Sequence, residues 1–331
     1  MNEVVAKAEE TVDAKATAPR GNLDQWLIRG MFAVALIVLV IAALTAPGFA
    51  TKENAKAILS SMGSVGILAV GMSAIMISGN LFSLSLGITA TVMAMLYLSL
   101  LGLGWVLASL IVLVAGALVC ALQGLIIGGI NGNPIIVTIG AGSALSGLAA
   151  WVSGGKGVYP AGGASTGPLS SAPFGLSSSV YLLAVLAVLV WLFMTRTSLG
   201  RQMYLVGENR PAARAAGLLI TRVTCVAFGV AGLCAALAGV YLGAVNKNAN
   251  LFNGNNVTYD AIAAVLVGGS AVTGGHGSVG RSVLGALVIA AISDVLLLRG
   301  YSTGAQIMVK GLVVFVVVLS SALLQKRRRA A

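Results

Sequence analysis

The chain has 331 residues, of which 58% are hydrophobic and 9% charged, with 43 glycines, a mean hydropathy of +0.99 and a net charge of +11. Soluble proteins carry roughly 25% charged residues, so this composition specifies a polytopic membrane protein and excludes an ordinary soluble domain. The same charge in a soluble chain would point to nucleic acid; with no basic patch interleaved with aromatics, it reads instead as the Lys/Arg excess of cytoplasmic loops.

Residues 1–28 alternate Lys, Glu, Asp and Ala without a hydrophobic face and read as a flexible cytosolic tail. A signal peptide would place its apolar core sooner and follow it with a small-residue cleavage site, so the first span, 31–47, is expected to be retained. Further spans are expected near 56–78, 83–101, 104–128, 133–153, 180–195, 220–243, 259–273, 282–298 and 304–324, ten in all. With both termini inside, this count puts 14 of the 20 basic residues in the cytoplasm: four in the tail, five between Arg196 and Arg222, Arg281, and Lys326 to Arg329. The expected fold is therefore an all-α polytopic bundle whose many glycines permit short, broken or re-entrant helices. The membrane domain runs over 29–325, with a cytosolic loop at 196–222 and a basic tail at 326–331. The outward loops 154–179 and 246–256 either contact a soluble partner or are solvated connections.

Several interruptions of the apolar pattern stand out. Asn80, Ser83 and Ser85, within Ser78 to Gly87, either face a water-filled path or mark a turn between spans. The pairs Gly124/Gly128, Gly239/Gly243 and Gly300/Gly304 have the spacing that lets helices approach closely. Pro134 fits the first turn of a helix capped by Asn133. Thr138 would then lie one turn inside, its hydroxyl lining a pore or, as we favour, bonding back to the helix. Gly268, Gly269, Gly274, Gly275 and Gly277 suit a tight re-entrant turn between short helices. Asp294 is an acid within a span, where it could relay a proton, pair with Arg299 or line a path, while Asp260 fits a membrane edge. Around Tyr204 to Leu218, Asn209 can cap a helix of about two turns through Pro211, Ala212, Ala213 and Arg214, stopped by Gly217.

The chemistry-bearing residues are sparse. Cys120, Cys225 and Cys234 lack metal-ligand spacing and read as small buried hydrophobes. His276 is the sole histidine, and no phosphate-binding G-x-x-x-x-G-K-[ST] occurs. A membrane-embedded enzyme lacks paired catalytic groups, and an ion-driven carrier has support only from Asp294 and the 78–85 stretch.

Val206 to Gly217 resembles the G-x-N-x-x-A-A-R-x-x-G segment of bacterial ABC importer permeases of the ribose/xylose/arabinose/galactose type. Asp260 to Gly280, Asn131 to Gly140 and Leu84 to Gly87 resemble further segments of that family, with Ser83 standing where the family commonly has Asp. The resemblance spans roughly residues 50–325. It implies a non-enzymatic subunit of the inner membrane that binds no cofactor and forms the path for a small polar solute, most plainly a monosaccharide. ATP and Mg would be held by a separate ABC ATPase docked on Gly207, Glu208, Asn209, Ala212, Ala213, Arg214 and Gly217. A periplasmic solute-binding protein would deliver the solute, and a second permease copy or paralogue would complete the path. An importer of branched-chain amino acids or nucleosides is the nearest alternative.

Overall fold

A computed structural model describes residues 48–49, 51–160, 166, 169, 175–251 and 254–330. The helices are α1 (Lys52–Ile77), α2 (Leu86–Leu100, extended by a 3-10 turn over Leu101–Leu103), α3 (Trp105–Ile130), α4 (Pro134–Ser153), α5 (Ser178–Arg196), α6 (Ser198–Glu208), α7 (Arg210–Ala215), α8 (Ile220–Asn246), α9 (Gly254–Val267), α10 (Val279–Leu298) and α11 (Thr303–Ala330). Among the described residues there is no strand, only an isolated bridge between Val158 and Ala249. The all-α membrane bundle expected from composition is what forms.

Seven of these helices are long and apolar enough to cross a membrane: α1, α2 with its 3-10 turn, α3, α4, α5, α8 and α10. The expected ten is not confirmed among the described residues. The span at 31–47 lies outside the described residues, and the stretches of α9 and α11 whose side chains are described are shorter, Asn256–Val267 and Thr303–Val316, although the α11 sequence stays apolar to Leu324. The expected 259–273 span stops early because Gly268 lets the chain pass against the Arg281 carbonyl and Gly269 takes φ +77°.

The bundle is centred on α1 and α8. Ile67 to Ile77 of α1 are wholly buried, and α8 packs against α1, α2 and α3 along its length. Lipid supplies no hydrophobic drive between helices, so close contact rests on small residues. A Cβ at Gly124 would lie 2.8 Å from the Thr224 carbonyl oxygen, and one at Gly128 would lie 2.7 Å from the Thr221 Cα, so this pair seats α3 on α8. Gly239 and Gly243 seat α8 on α2 in the same way. The third pair does not follow: Gly300 has open space around it and Gly304 meets only the Ser302 hydroxyl, so that spacing marks the α10–α11 turn.

Polar contacts mark two ends. At one, Asn54 Nδ2 donates to Asp294 Oδ2 at 2.7 Å, the Tyr97 hydroxyl donates to the Thr166 carbonyl at 3.2 Å, and Ser177 meets Tyr241 at 2.8 Å. The other end gathers the 78–80 turn, Asn131, α6, α7 and the 270–278 turn. Between them, Lys310 Nζ pairs with Asp260 Oδ1 at 2.8 Å, holding α11 to α9.

Candidate functional site

The segment between α5 and α8 is not one polar loop with a single short helix. Thr197 caps α6, accepting from the Gly200 amide at 3.0 Å. Met203, Val206 and Gly207 face inward while Arg201, Leu205 and Glu208 are exposed, so α6 is an amphipathic helix lying on the bundle. The three-to-four-residue spacing of its apolar positions carries that signal in the sequence, but the arginines around it mask the pattern.

α7 forms as its residues dictate. The Asn209 side chain accepts from the Ala212 amide at 3.0 Å, Pro211 occupies the first turn, and the helix runs six residues, somewhat less than the two turns expected. Gly217 ends it at φ +79°, with the Leu218 amide donating back to the Ala213 carbonyl at 3.0 Å. This is the glycine stop of a helix C-terminus. Asn209→Ala is expected to remove about 1 kcal/mol of local helix stability. Faster hydrogen exchange at the Ala212 amide would report it, with Asn209→Ser retaining protection.

Two arginines pin α7 to neighbouring turns. Arg210 donates to Asn80 Oδ1 at 2.5 Å, and Arg214 donates to Asn131 Oδ1 at 3.0 Å. Burial pushes the Arg210 guanidinium below its ordinary pKa, and the adjacent Arg214 charge adds to the shift. Ala213 turns inward and is buried. Glu208, Asn209, Pro211, Ala212, Arg214, Ala215, Ala216 and Gly217 remain exposed, a small-sided cationic ridge. A shallow groove beside it is lined by Asn131, Arg210, Pro211, Arg214 and Ala215.

Gly207 differs from its neighbours. It is buried where the ends of α1 and α6 meet the glycine turn, and a Cβ there would lie 2.5 Å from the Gly275 amide nitrogen and 3.0 Å from that of Gly79. The Gly275 amide donates to the Ile77 carbonyl at 3.0 Å across this junction. Gly207 therefore joins the segment to the bundle and presents no surface to a partner.

The turn glycines behave as expected in part. Gly274 and Gly275 take φ +92° and +73°, and a Cβ at Gly277 would lie 2.7 Å from the Ile77 side chain. The Ala271 amide closes the turn on the His276 carbonyl at 2.9 Å. Only one flanking helix is short, however: α9 has 14 residues and α10 has 20. Burial raises the Tyr204 phenol's pKa, and the Arg281 charge opposes that shift.

The residues expected along a path do not form one cluster. Asn80, Ser83, Ser85 and Thr138 are all wholly buried. Asn80 belongs to the α7 end, held by Arg210 and donating to the Ser78 hydroxyl at 2.9 Å. Ser83, Ser85 and Thr138 share a polar seam where α2 begins. Thr138 bonds back to the Ile135 carbonyl at 3.2 Å, below the Asn133 cap that accepts from the Ile135 amide at 3.0 Å. Asp294 lies at the opposite end, near the end of α10, held by Asn54 and not by the exposed Arg299.

Sequence reasoning missed two groups: Lys310, the partner of Asp260, and Gln123, whose Oε1 accepts from the Ser85 hydroxyl at 2.7 Å. Both were findable as polar breaks in apolar spans, Lys310 as a charge within 304–324 and Gln123 as the one amide within 104–128.

The family model for the permease component of the branched-chain amino acid transport system matches residues 54–319. The chain is 32% identical to the probable ABC transporter permease protein YphD of Escherichia coli (strain K12), over 91% of each chain. It is 30% identical to the ribose import permease protein RbsC of Bacillus subtilis (strain 168), over 88% of this chain and 91% of that one. To the L-arabinose transport system permease protein AraH of Escherichia coli (strain K12) it is 28% identical, over 92% and 93%. No solved structure matches.

Proposed function

This chain belongs to the ABC importer permease family, in its monosaccharide type, and we propose that it forms the bacterial inner-membrane path for a monosaccharide. The names of its relatives supply the substrate class, ribose and L-arabinose among them. Both termini would lie in the cytoplasm, putting the α7 end inside and the Asn54–Asp294 end outside. A second copy or paralogue would complete the path, a periplasmic binding protein would feed it, and ATP with Mg would be hydrolysed on a separate ATPase.

One observation carries the coupling role: α7 is capped, stopped and pinned at both arginines, yet exposes Ala212, Arg214, Ala215 and Ala216. A helix held that firmly passes a push from a docked partner into the 78–80 and 129–133 turns. Glu208 and Asn209 would transmit that push from α7 to α6, and Gly207 would pass it on to the ends of α1 and the glycine turn.

Arg214→Glu reverses the exposed charge. Uptake is expected to fall about tenfold, equivalent to about 1.4 kcal/mol of docking, with an unchanged amount of protein in the membrane. Affinity purification of the tagged chain from native membranes should recover an ATPase in stoichiometric amount, and less of it with Arg214→Glu. Wild-type uptake by that variant would remove α7 from the docking role. Recovery of the chain alone after crosslinking would overturn the ATP-driven reading.

A further inference from the structure

The chain between α1 and α2 does not complete its turn at the end of the bundle. Residues 78–85 fold back along α1, and the Ser83 amide reaches the Met72 sulfur at 3.3 Å. Met72 lies five residues before the end of α1, about 8 Å at 1.5 Å per residue. α2 therefore starts inside the bundle, a broken helix whose non-helical lead is tolerated because protein surrounds it.

Three other helices meet that start. The Leu84 amide donates to Thr138 of α4 at 3.2 Å, and the Gly87 amide donates to Thr258 of α9 at 3.0 Å. Ser83 and Ser85 lie 3.1 Å apart, and the Ser85 hydroxyl donates to Gln123 of α3. The positive end of the α2 dipole also lies at this place.

Gln123 is the independent observation. It is 3% exposed, and its Nε2 is a buried donor that finds no acceptor within the chain. Turning the amide over only exchanges the orphan, because Oε1 would then be the atom left unpaired. A buried polar group left this way is destabilising, a penalty relieved when a polar atom passes. None of Ser83, Ser85, Gln123, Thr138 and Thr258 carries charge, so an ionised solute would cross without a counter-charge while hydroxyl oxygens would find both donors and acceptors.

We infer that the start of α2, with Gln123 as its principal donor, is a transit subsite that hydrogen-bonds a hydroxyl of a neutral polyhydroxylated solute. The inference rests on the monosaccharide reading above and adds the residues that touch the sugar inside the membrane.

The test measures uptake of D-ribose, 2-deoxy-D-ribose and 5-deoxy-D-ribose by the complete transporter, with ATPase and binding protein the same in every arm. Any change in the relative rates then comes from this chain. Gln123→Leu is expected to shift the rate of at least one deoxy sugar relative to D-ribose by about fivefold, the value of one hydrogen bond of about 1 kcal/mol. Ser85→Ala, which releases the Gln123 amide from its fixed orientation, should also shift that ratio, and it carries the test if Gln123→Leu fails to accumulate. A purely structural or water-filling role would lower all three rates by one factor and overturn the inference alone. Where wild type takes up another monosaccharide, L-arabinose for example, that sugar and its deoxy analogues replace the three; wild type that takes up no monosaccharide would overturn the monosaccharide reading, and the inference with it.

Discussion

Gly207→Val is expected to abolish uptake and to lower the thermal stability of the purified protein, whereas Gly217→Ala is expected to cost little of either. The two glycines stand ten residues apart around the same short helix, and their surroundings are opposite. A Cβ at Gly207 would fall far inside van der Waals contact with the Ile77 carbonyl oxygen, and 2.5 Å from the Gly275 amide nitrogen. Every obstacle is backbone, at the closed ends of α1 and the glycine turn, so no flexible side chain can yield. Overpacking of a fitted interior costs about 1–3 kcal/mol, and this substitution also displaces the Gly275–Ile77 hydrogen bond. Gly217 has open space around it, so alanine there meets only the left-handed backbone penalty, about 1–2 kcal/mol. Thermal unfolding in mild detergent separates them. Equal melting temperatures for Gly207→Val and wild type would show that the junction is looser than its contacts imply.

That contrast also shows where the sequence was legible. Short-range chemistry was readable: Asn133 and Asn209 cap the helices assigned to them, Gly217 ends α7, and two of the three spaced glycine pairs seat helices. Each depends on residues within a turn of one another. The role of Gly207 was not readable, because the atoms that forbid a side chain there come from Ile77, Gly79 and Gly275, far away in the chain. The same holds for the polar seam: Ser83, Ser85 and Thr138 stood out as breaks in apolar runs, but only the fold brings Gln123 to them. α6 was hidden differently. Its inward face of Met203, Val206 and Gly207 is brief and lies between arginines, so overall polarity outweighed periodicity. Asp294 drew attention as a charge within a span, yet its place near the end of α10, bonded to Asn54, makes it a link between α1 and α10 at the rim.

Asp260→Asn is expected to destabilise the bundle more than replacing the whole Asp260–Lys310 pair by apolar residues. The two side chains are each 14% exposed and meet at 2.8 Å between α9 and α11. Neutralising Asp260 leaves the Lys310 ammonium without its counter-charge in an apolar setting, a loss of about 3–5 kcal/mol for a buried pair broken on one side. The Asp260→Leu, Lys310→Met double variant removes both charges along with their desolvation costs, so it should recover most of that loss. α11 makes the comparison sensitive, since among the described residues it packs mainly on α9 and, to a lesser extent, α10. A tether is worth most where little else holds. Thermal unfolding of the single and double variants in the same detergent, with limited proteolysis reporting release of α11, reads the difference. If the double variant is as unstable as Asp260→Asn, the pair contributes its own attraction and not merely mutual neutralisation. If neither variant differs from wild type, α11 is held by apolar contact alone.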